Sequence, residues 1–183
     1  MKQEIIAKRY SRALFAIGQE DGPEALKQYG NELGAFCHLV EDEPILLRIF
    51  KNPVIRVEDK KILIGKILDK IGASKVVKNF LMLLAEKKRL SYILDIRNYY
   101  QKLLDQFEGI VRGHLVTAID LNDEKKENIR KSLEEKMAKK FVLDFQVNKD
   151  ILGGVVLKVG DKVYDASLRA QLNILKEKIK RGE

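Results

Sequence analysis

The segment from Ile151 to Leu172, ILGGVVLKVGDKVYDASLRAQL, constrains the fold of this chain more than any other stretch of its sequence. An apolar run from Val155 to Val159 ends at Gly160-Asp161, a residue pair typical of two-residue hairpin turns, and Val163-Tyr164 starts a returning strand. The segment therefore predicts a β-hairpin whose two strands pair directly.

A helix is predicted to follow this hairpin. Asp165 is a residue type that caps helix N-termini. Beyond it, apolar side chains recur at helical spacing, at Leu168, Leu172, Leu175 and Ile179. Ahead of the hairpin, Gly153-Gly154 permits a bend or a close approach to another segment where a Cβ atom would clash. These inferences define a corner between a hairpin and a helix, and they do not identify a function.

The chain from Gln3 to Glu108 has a helical apolar pattern throughout. Residues that interrupt helices divide it into about six helices. The interruptions are Gly18 to Pro23, Asp42-Glu43-Pro44, Lys51-Asn52-Pro53, Gly72-Ala73-Ser74 and Lys87-Lys88-Arg89. Because the connections are short, successive helices are expected to be antiparallel neighbours in a bundle.

After Gly109 the apolar period changes. Ile110 to Ile119 is predicted to form a strand, Asn122 to about Lys140 a helix, and Phe141 to Val147 a half-buried strand with period two. With the hairpin and the last helix, these elements form a small α+β unit. The predicted fold class is mainly α: an N-terminal six-helix bundle domain over residues 1–108, followed by a small α+β domain over residues 109–183.

The sequence offers no set of residues for catalysis, cofactor binding or metal binding. The spacing Gly-x4-Gly-Lys-Ser/Thr of a phosphate-binding loop does not occur. The two histidines, His38 and His114, have no acidic partner at a motif spacing. The single cysteine, Cys37, lies beside apolar residues and is expected in the core rather than as a nucleophile or zinc ligand. We therefore predict that the chain is not an enzyme and holds no cofactor or metal.

The formal net charge of +8 is spread evenly along the chain. Residues 1–108 and 109–183 each carry half of it, and acidic residues are interleaved throughout. A nucleic-acid-binding surface more often concentrates its charge on one stripe, so an ordinary solvated surface is favoured and no nucleic acid partner is predicted. The central apolar run from Phe80 to Ala85 is far shorter than the ~20 residues of a membrane-spanning helix.

Four motifs carry a family resemblance and occur in the expected order. They are AKRYSRALF (Ala7 to Phe15), FKNPVI (Phe50 to Ile55), NFLMLLAEKKRL (Asn79 to Leu90) and the Gly-Gly hairpin corner ending in Asp-x-Ser-Leu-Arg (Leu152 to Arg169). Together they resemble the delta subunit of bacterial F-type ATP synthases, whose mitochondrial relative is the oligomycin-sensitivity-conferring protein. Two positions depart from the pattern, because Lys88 and Ala166 stand where the family commonly has glycine.

The resemblance implies a mechanical role. Such proteins are non-catalytic subunits of the peripheral stalk, or stator, which ties the catalytic head to the membrane sector. They hold the head against the torque of the rotor during ATP synthesis coupled to ion transport. The implied location is the cytoplasmic side of the cell membrane, with the membrane contacted only through the complex.

The resemblance also implies two partner-binding regions. In the family, a groove between the first and fifth helices receives the N-terminal helix of the alpha subunit. The matching positions here are Tyr10, Ala13 and Leu83, with the neighbours Leu14, Phe80 and Leu84. The C-terminal region contacts the peripheral-stalk b subunits. Its matching residues are expected first to build the hairpin corner and second to contact the stalk: Gly153, Gly154, Asp165, Ser167 and Arg169.

Two alternatives stay open on the residues alone. A helical adaptor unrelated to ATP synthase would share the apolar helix faces, although the pattern by itself favours two ordinary core helices. A basic nucleic-acid-binding protein would account for the pI of about 9.4 and would show strongly salt-dependent binding to polyanions.

Overall fold

The computed structural model describes residues 2–181, without the side chains of residues 2 and 178. The chain divides into two compact units, Met1–Leu104 and Asp105–Glu183. The first unit is helical, and its elements confirm the predicted number of long helices. They are α1 (Lys2–Asp21), α2 (Pro23–Asp42), α3 (Pro44–Lys51), α4 (Val57–Ile71), α5 (Lys75–Glu86) and α6 (Ile93–Glu108, which continues into the second unit). The domain boundary after residue 108 stays a prediction.

Most helix ends follow from local sequence. Pro23 and Pro44 occupy the first turns of α2 and α3, where a missing N–H costs nothing. Ser74 caps α5 by accepting a hydrogen bond from the Val77 N–H. The predicted interruption between Gly18 and Pro23 is confirmed at Gly22, although α1 continues through Gly18 to Asp21. Gly18 instead allows close packing, since a Cβ there would lie 2.8 Å from Leu26 Cδ2.

The C-terminus of α5 has a Schellman motif with lysine at the position that usually holds glycine. The Arg89 N–H donates to the Leu84 carbonyl at 2.8 Å, and the Lys88 N–H donates to the Ala85 carbonyl at 3.0 Å. Lys88 has a φ of 57°, in the left-handed region that residues with a Cβ rarely adopt. The family pattern of glycine at this position therefore has a geometric reason, and the lysine is strained.

Replacing Lys88 by glycine is expected to stabilise the helical unit. A left-handed conformation costs a residue with a side chain roughly 1–2 kcal/mol, and the extra flexibility of glycine in the unfolded chain offsets part of this gain. We expect the free energy of unfolding to rise by about 1 kcal/mol, measured by urea denaturation followed by circular dichroism. A fall in stability would show that a contact of the lysine side chain stabilises the fold by more than the left-handed conformation destabilises it.

The core of the first unit is apolar, and two hydroxyl groups buried in it are hydrogen-bonded. The Ser11 hydroxyl donates to the Ile96 carbonyl at 2.6 Å, and the Tyr100 hydroxyl donates to the Leu26 carbonyl at 3.0 Å. Cys37 is fully buried, as predicted, and burial raises the pKa of its thiol to about 12. A thiol in this state is not a nucleophile at neutral pH.

No helix among residues 2–181 is long and apolar enough to span a bilayer.

The second unit is a four-stranded mixed sheet with two helices. Its elements are β1 (Ile110–Thr117), α7 (Asp123–Met137), β2 (Lys140–Val147), β3 (Val155–Val159), β4 (Lys162–Asp165) and α8 (Leu168–Arg181). The strand order is β2-β1-β3-β4. The β1–β2 pair is parallel and joined through α7, whereas β3 pairs antiparallel with both β1 and β4. The predicted combination of a helical part and a small α+β part is confirmed.

The hairpin has the predicted turn. Val159 pairs with Lys162, so Gly160-Asp161 forms a two-residue connection, and Gly160 has a positive φ of 56°. Helix α7, which connects β1 to β2, ends earlier than predicted. Its last residue is Met137, because Ala138 adopts a left-handed conformation with a φ of 51°.

Candidate functional site

An apolar groove lies on the helical unit between α1 and α5. Its cavity has a volume of about 690 Å³, within the range of pockets that bind ligands. The residues that line it are Arg9, Tyr10, Ala13, Leu14, Ile17, Val76, Asn79, Phe80, Leu83 and Lys87. On each helix these residues recur three or four positions apart, which places them on one face.

The floor of the groove is buried and its walls are exposed. Leu14 and Phe80 are 0% and 7% exposed, whereas Ile17 and Leu83 are 43% and 42% exposed. The Tyr10 ring meets the Phe80 ring edge to face, with centroids 6.4 Å apart. Two large aliphatic side chains thus project into solvent beside a fixed aromatic pair, which leaves an apolar strip without a covering element among residues 2–181.

Five of the six residues predicted for this groove line it. They are Tyr10, Ala13, Leu14, Phe80 and Leu83. The sixth, Leu84, is fully buried in the helical core and does not line the cavity. Leu84 and Leu83 are adjacent on α5 and therefore point in directions about 100° apart. The structure places Leu83 on the open side.

The structure adds five residues to the groove that the sequence analysis did not assign to it: Arg9, Ile17, Val76, Asn79 and Lys87. Arg9 lies four positions before Ala13, and Lys87 lies four positions after Leu83. The spacing rule for a shared helix face could have found both. A search for apolar residues alone leaves such polar rim positions out.

The Gly153-Gly154 pair lies against the start of α8. A Cβ on Gly154 would lie 2.4 Å from the Ala166 carbonyl oxygen, and the residue has a φ of 83°. A Cβ on Gly153 would lie 2.8 Å from Leu168 Cδ1. The predicted close approach is therefore present at both positions. At Gly154 the contact with backbone and the positive φ require glycine, whereas a Cβ on Gly153 would meet only the Leu168 side chain.

The cap of α8 is Ser167 rather than the predicted Asp165. The Ser167 hydroxyl accepts a hydrogen bond from the Ala170 N–H at 3.1 Å. Asp165 is the last residue of β4, two residues too early, and its carboxylate accepts from the Ser167 N–H at 2.9 Å. Hydrogen bonding with the Ser167 side chain, and with its backbone, lowers the pKa of Asp165. The fifth residue of the predicted set, Arg169, is exposed on the first turn of α8.

Helix α8 carries an exposed apolar stripe. Its members are 49% to 69% exposed and follow the predicted helical spacing: Leu168, Leu172, Leu175 and Ile179. A helix with an apolar face normally buries that face against another element. The stripe is therefore the second candidate contact surface of the chain.

One histidine–aspartate pair on the sheet was not visible in the sequence. His114 Nδ1 lies 3.0 Å from an Asp144 carboxylate oxygen, because the two residues are direct partners in the β1–β2 register. Both side chains are 61% exposed, so solvent screens the pair.

Among the described residues, no group of three His, Cys, Asp or Glu side chains could hold a metal ion.

Comparisons with known proteins agree over the whole chain. The family described as ATP synthase delta (OSCP) subunit matches residues 6–179. The chain is 52% identical to the ATP synthase subunit delta of Oleidesulfovibrio alaskensis and 50% identical to that of Nitratidesulfovibrio vulgaris, with 100% of each chain covered. A chain in the mitochondrial ATP synthase hexamer of Toxoplasma gondii has the same fold, with a TM-score of 0.68 at 18% identity over 94% of this chain and 96% of that chain.

Proposed function

The chain belongs to the ATP synthase delta (OSCP) subunit family, and on that premise we propose that its α1–α5 groove binds a helix of the catalytic head while its second unit binds the stalk. As a member of this family it is an accessory subunit of the ATP synthase with a stator role, holding the head against rotor torque. A stator link must bind both of its partners tightly enough to withstand the torque. A nanomolar dissociation constant corresponds to a binding free energy of about 12 kcal/mol.

The observation that supports the head contact is the uncovered apolar strip of the groove. An amphipathic helix lays its apolar face into such a groove and anchors side chains at helical spacing. Ala13 has a small side chain on one wall, which lets a third helix approach α1 closely. Tyr10 and Phe80 present a preformed aromatic surface to that helix.

The charges at the rim favour a partner of a particular kind. Arg9 and Lys87 line the groove, and none of its lining residues is acidic. A helix with carboxylates beside its apolar stripe would therefore be oriented by these two cations. We propose that this helix is the N-terminal helix of the alpha subunit, the partner implied by the family resemblance.

Titration calorimetry with a synthetic peptide of that alpha helix tests the head contact. We expect binding in the micromolar range or tighter, with a negative heat-capacity change from apolar burial and little dependence on salt. An absence of binding to the folded chain would remove the groove assignment and favour an adaptor for another helix. Salt-sensitive binding to a polyanion alone would favour nucleic acid instead.

The observation that supports the stalk contact is the exposed stripe of α8. The corner formed by Gly154 and Ser167 fixes where α8 begins relative to the sheet. The stripe is thereby presented to a partner as a regular helical face. We propose that the peripheral-stalk b subunits cover it, and that the corner residues act by holding α8 rather than by touching the stalk.

Replacing Leu172 by aspartate is expected to weaken stalk binding at least tenfold. Leu172 is 58% exposed, so the substitution leaves the core of the unit intact, while a carboxylate buried in an apolar interface carries a penalty of several kcal/mol. The measurement is surface plasmon resonance against a soluble b-subunit fragment. Asn173→Asp is the charge-matched control, because Asn173 is exposed and points about 100° away from Leu172, outside the apolar stripe. Equal effects of the two substitutions would contradict the proposal.

The remaining functional assignments rest on the family and on this mechanical role. We propose that the chain performs no catalysis of its own and binds no cofactor. Its place is the cytoplasmic side of the cell membrane, where it associates with the membrane only through the rest of the ATP synthase.

A further inference from the structure

A second cavity of the helical unit is small and strongly basic. It has a volume of about 130 Å³ and lies where the chain leaving α3 meets the end of α5. Three lysines and a serine line it above an apolar floor that includes Phe50 and Leu90: Lys51, Lys60, Lys88 and Ser91. No lining residue is acidic. The cavity shares no residue with the α1–α5 groove.

Lys60 is the buried charged residue that lines this cavity. It is 9% exposed, and its ammonium group donates to the Phe50 carbonyl at 3.1 Å and to the Asn52 carbonyl at 2.8 Å. These carbonyls lie at the end of α3, where a cation is favoured. An ammonium group has three donors. Among residues 2–181, no carboxylate lies within salt-bridge distance of this buried charge.

Lys88 adds a second positive charge to the same cavity. Burial and the neighbouring Lys88 charge both lower the pKa of Lys60. Two like charges held together destabilise each other, and Lys88 also occupies a strained left-handed conformation. An anion between the two ammonium groups would relieve the repulsion, because it would attract both.

We propose that this cavity binds a phosphoryl group in the form of free inorganic phosphate. Three lysines suit a dianion better than a carboxylate with a single charge, and lysine binds phosphate as a point charge without a fixed orientation. A water molecule takes up about 30 Å³, so the cavity has room for a small oxyanion. Drug-sized ligands and nucleotides need pockets of about 300 Å³ or more.

Titration of the full-length protein with sodium phosphate at pH 7.5, followed by nuclear magnetic resonance, tests the site. We expect saturable shifts of the Lys88 and Ser91 amides and of the Lys60 ammonium resonance, with a dissociation constant near 1 mM, typical of a small ligand. Sodium chloride and sodium acetate at matched ionic strength should produce no saturable shift. Shifts that follow ionic strength alone, whatever the anion, would overturn the proposal.

Two variants and a control separate binding from folding. Lys88→Gly removes one charge while relaxing the backbone, so it should weaken phosphate binding at least fivefold, the effect of one pair of unit charges at ~4 Å in water. Lys60→Met should abolish binding, and its fold is checked by the amide spectrum. Lys66→Gln removes an exposed charge outside the cavity and should leave binding unchanged. An equal loss in Lys66→Gln and Lys88→Gly would refute a local site.

Vesicles test whether the cavity is instead a lipid site. Cosedimentation with vesicles containing phosphatidic acid should not exceed that with pure phosphatidylcholine, because the chain is proposed to reach the membrane only through the rest of the complex. Saturable phosphate binding that is lost in Lys60→Met supports the site. Phosphate binding that persists in Lys60→Met, or lipid binding that depends on Lys60, overturns it.

Discussion

Replacing Ala13 by tryptophan is expected to weaken binding of the alpha-subunit helix at least a hundredfold without changing the thermal stability of the chain. Ala13 is exposed on the wall of the groove, between Tyr10 and Ile17 on the same face of α1. An indole at this position would occupy the space of the incoming helix, and loss of a central contact of this size costs about 3 kcal/mol. Titration calorimetry measures the affinity, and thermal melting followed by circular dichroism measures the stability.

The chain offers a matched control for this substitution. Ala16 is also exposed on α1, but it does not line the groove. Ala16→Trp adds the same side chain to the same helix and should leave the affinity within about twofold, the scatter expected of a neutral surface substitution. Similar losses of affinity for the two variants would mean that the helix does not bind in the α1–α5 groove.

Replacing Gly154 by alanine is expected to destabilise the second unit by about 3 kcal/mol or more. The new Cβ would lie 2.4 Å from the Ala166 carbonyl oxygen, which is backbone and has no alternative rotamer. The φ of 83° adds strain of roughly 1–2 kcal/mol for any residue with a Cβ. Relief requires the corner to open and α8 to move away from β3, so stalk binding should weaken as well.

Gly160 separates the two causes of that destabilisation. It also has a positive φ, of 56°, but a Cβ there would meet no atom within 4 Å. Gly160→Ala should therefore show only the conformational strain and cost about 1 kcal/mol. Amide hydrogen exchange in β1 and β3 measures both variants, and a loss of 3 kcal/mol corresponds to about a hundredfold lower protection. Equal effects would show that the close contact with Ala166 is unimportant.

The elements of the fold were predictable where the sequence carries a local signal. Proline at the first turn of α2 and α3, and the left-handed Gly72 after α4, mark helix ends through the backbone of a single residue. The hairpin was predictable for the same reason, because Gly160-Asp161 supplies the conformation of its turn. The exact end of α1 was not predictable, since a glycine that breaks a helix, as at Gly22, and one that lets two helices pack, as at Gly18, look the same in sequence.

The candidate site was predictable in part. Helical spacing and the family resemblance together identify α1 and α5 as the helices of the groove, and five of the six named residues line it. They could not separate Leu83 from Leu84, since both are leucines on a helix that is apolar over much of its circumference. Which one is exposed depends on how α5 is rotated against the core, and that is decided by packing with other helices.

What the sequence by itself determined about this protein is the succession of helices and strands, the hairpin turn, the close approach at Gly153-Gly154, and the family. Each of these depends on residues close together in the chain or on an ordered set of motifs. Only the tertiary structure decided that Ser167 caps α8, that His114 faces Asp144, and that Lys60 and Lys88 share one cavity. Those relations join residues through strand register, helix rotation and backbone strain, which depend on the packed chain as a whole.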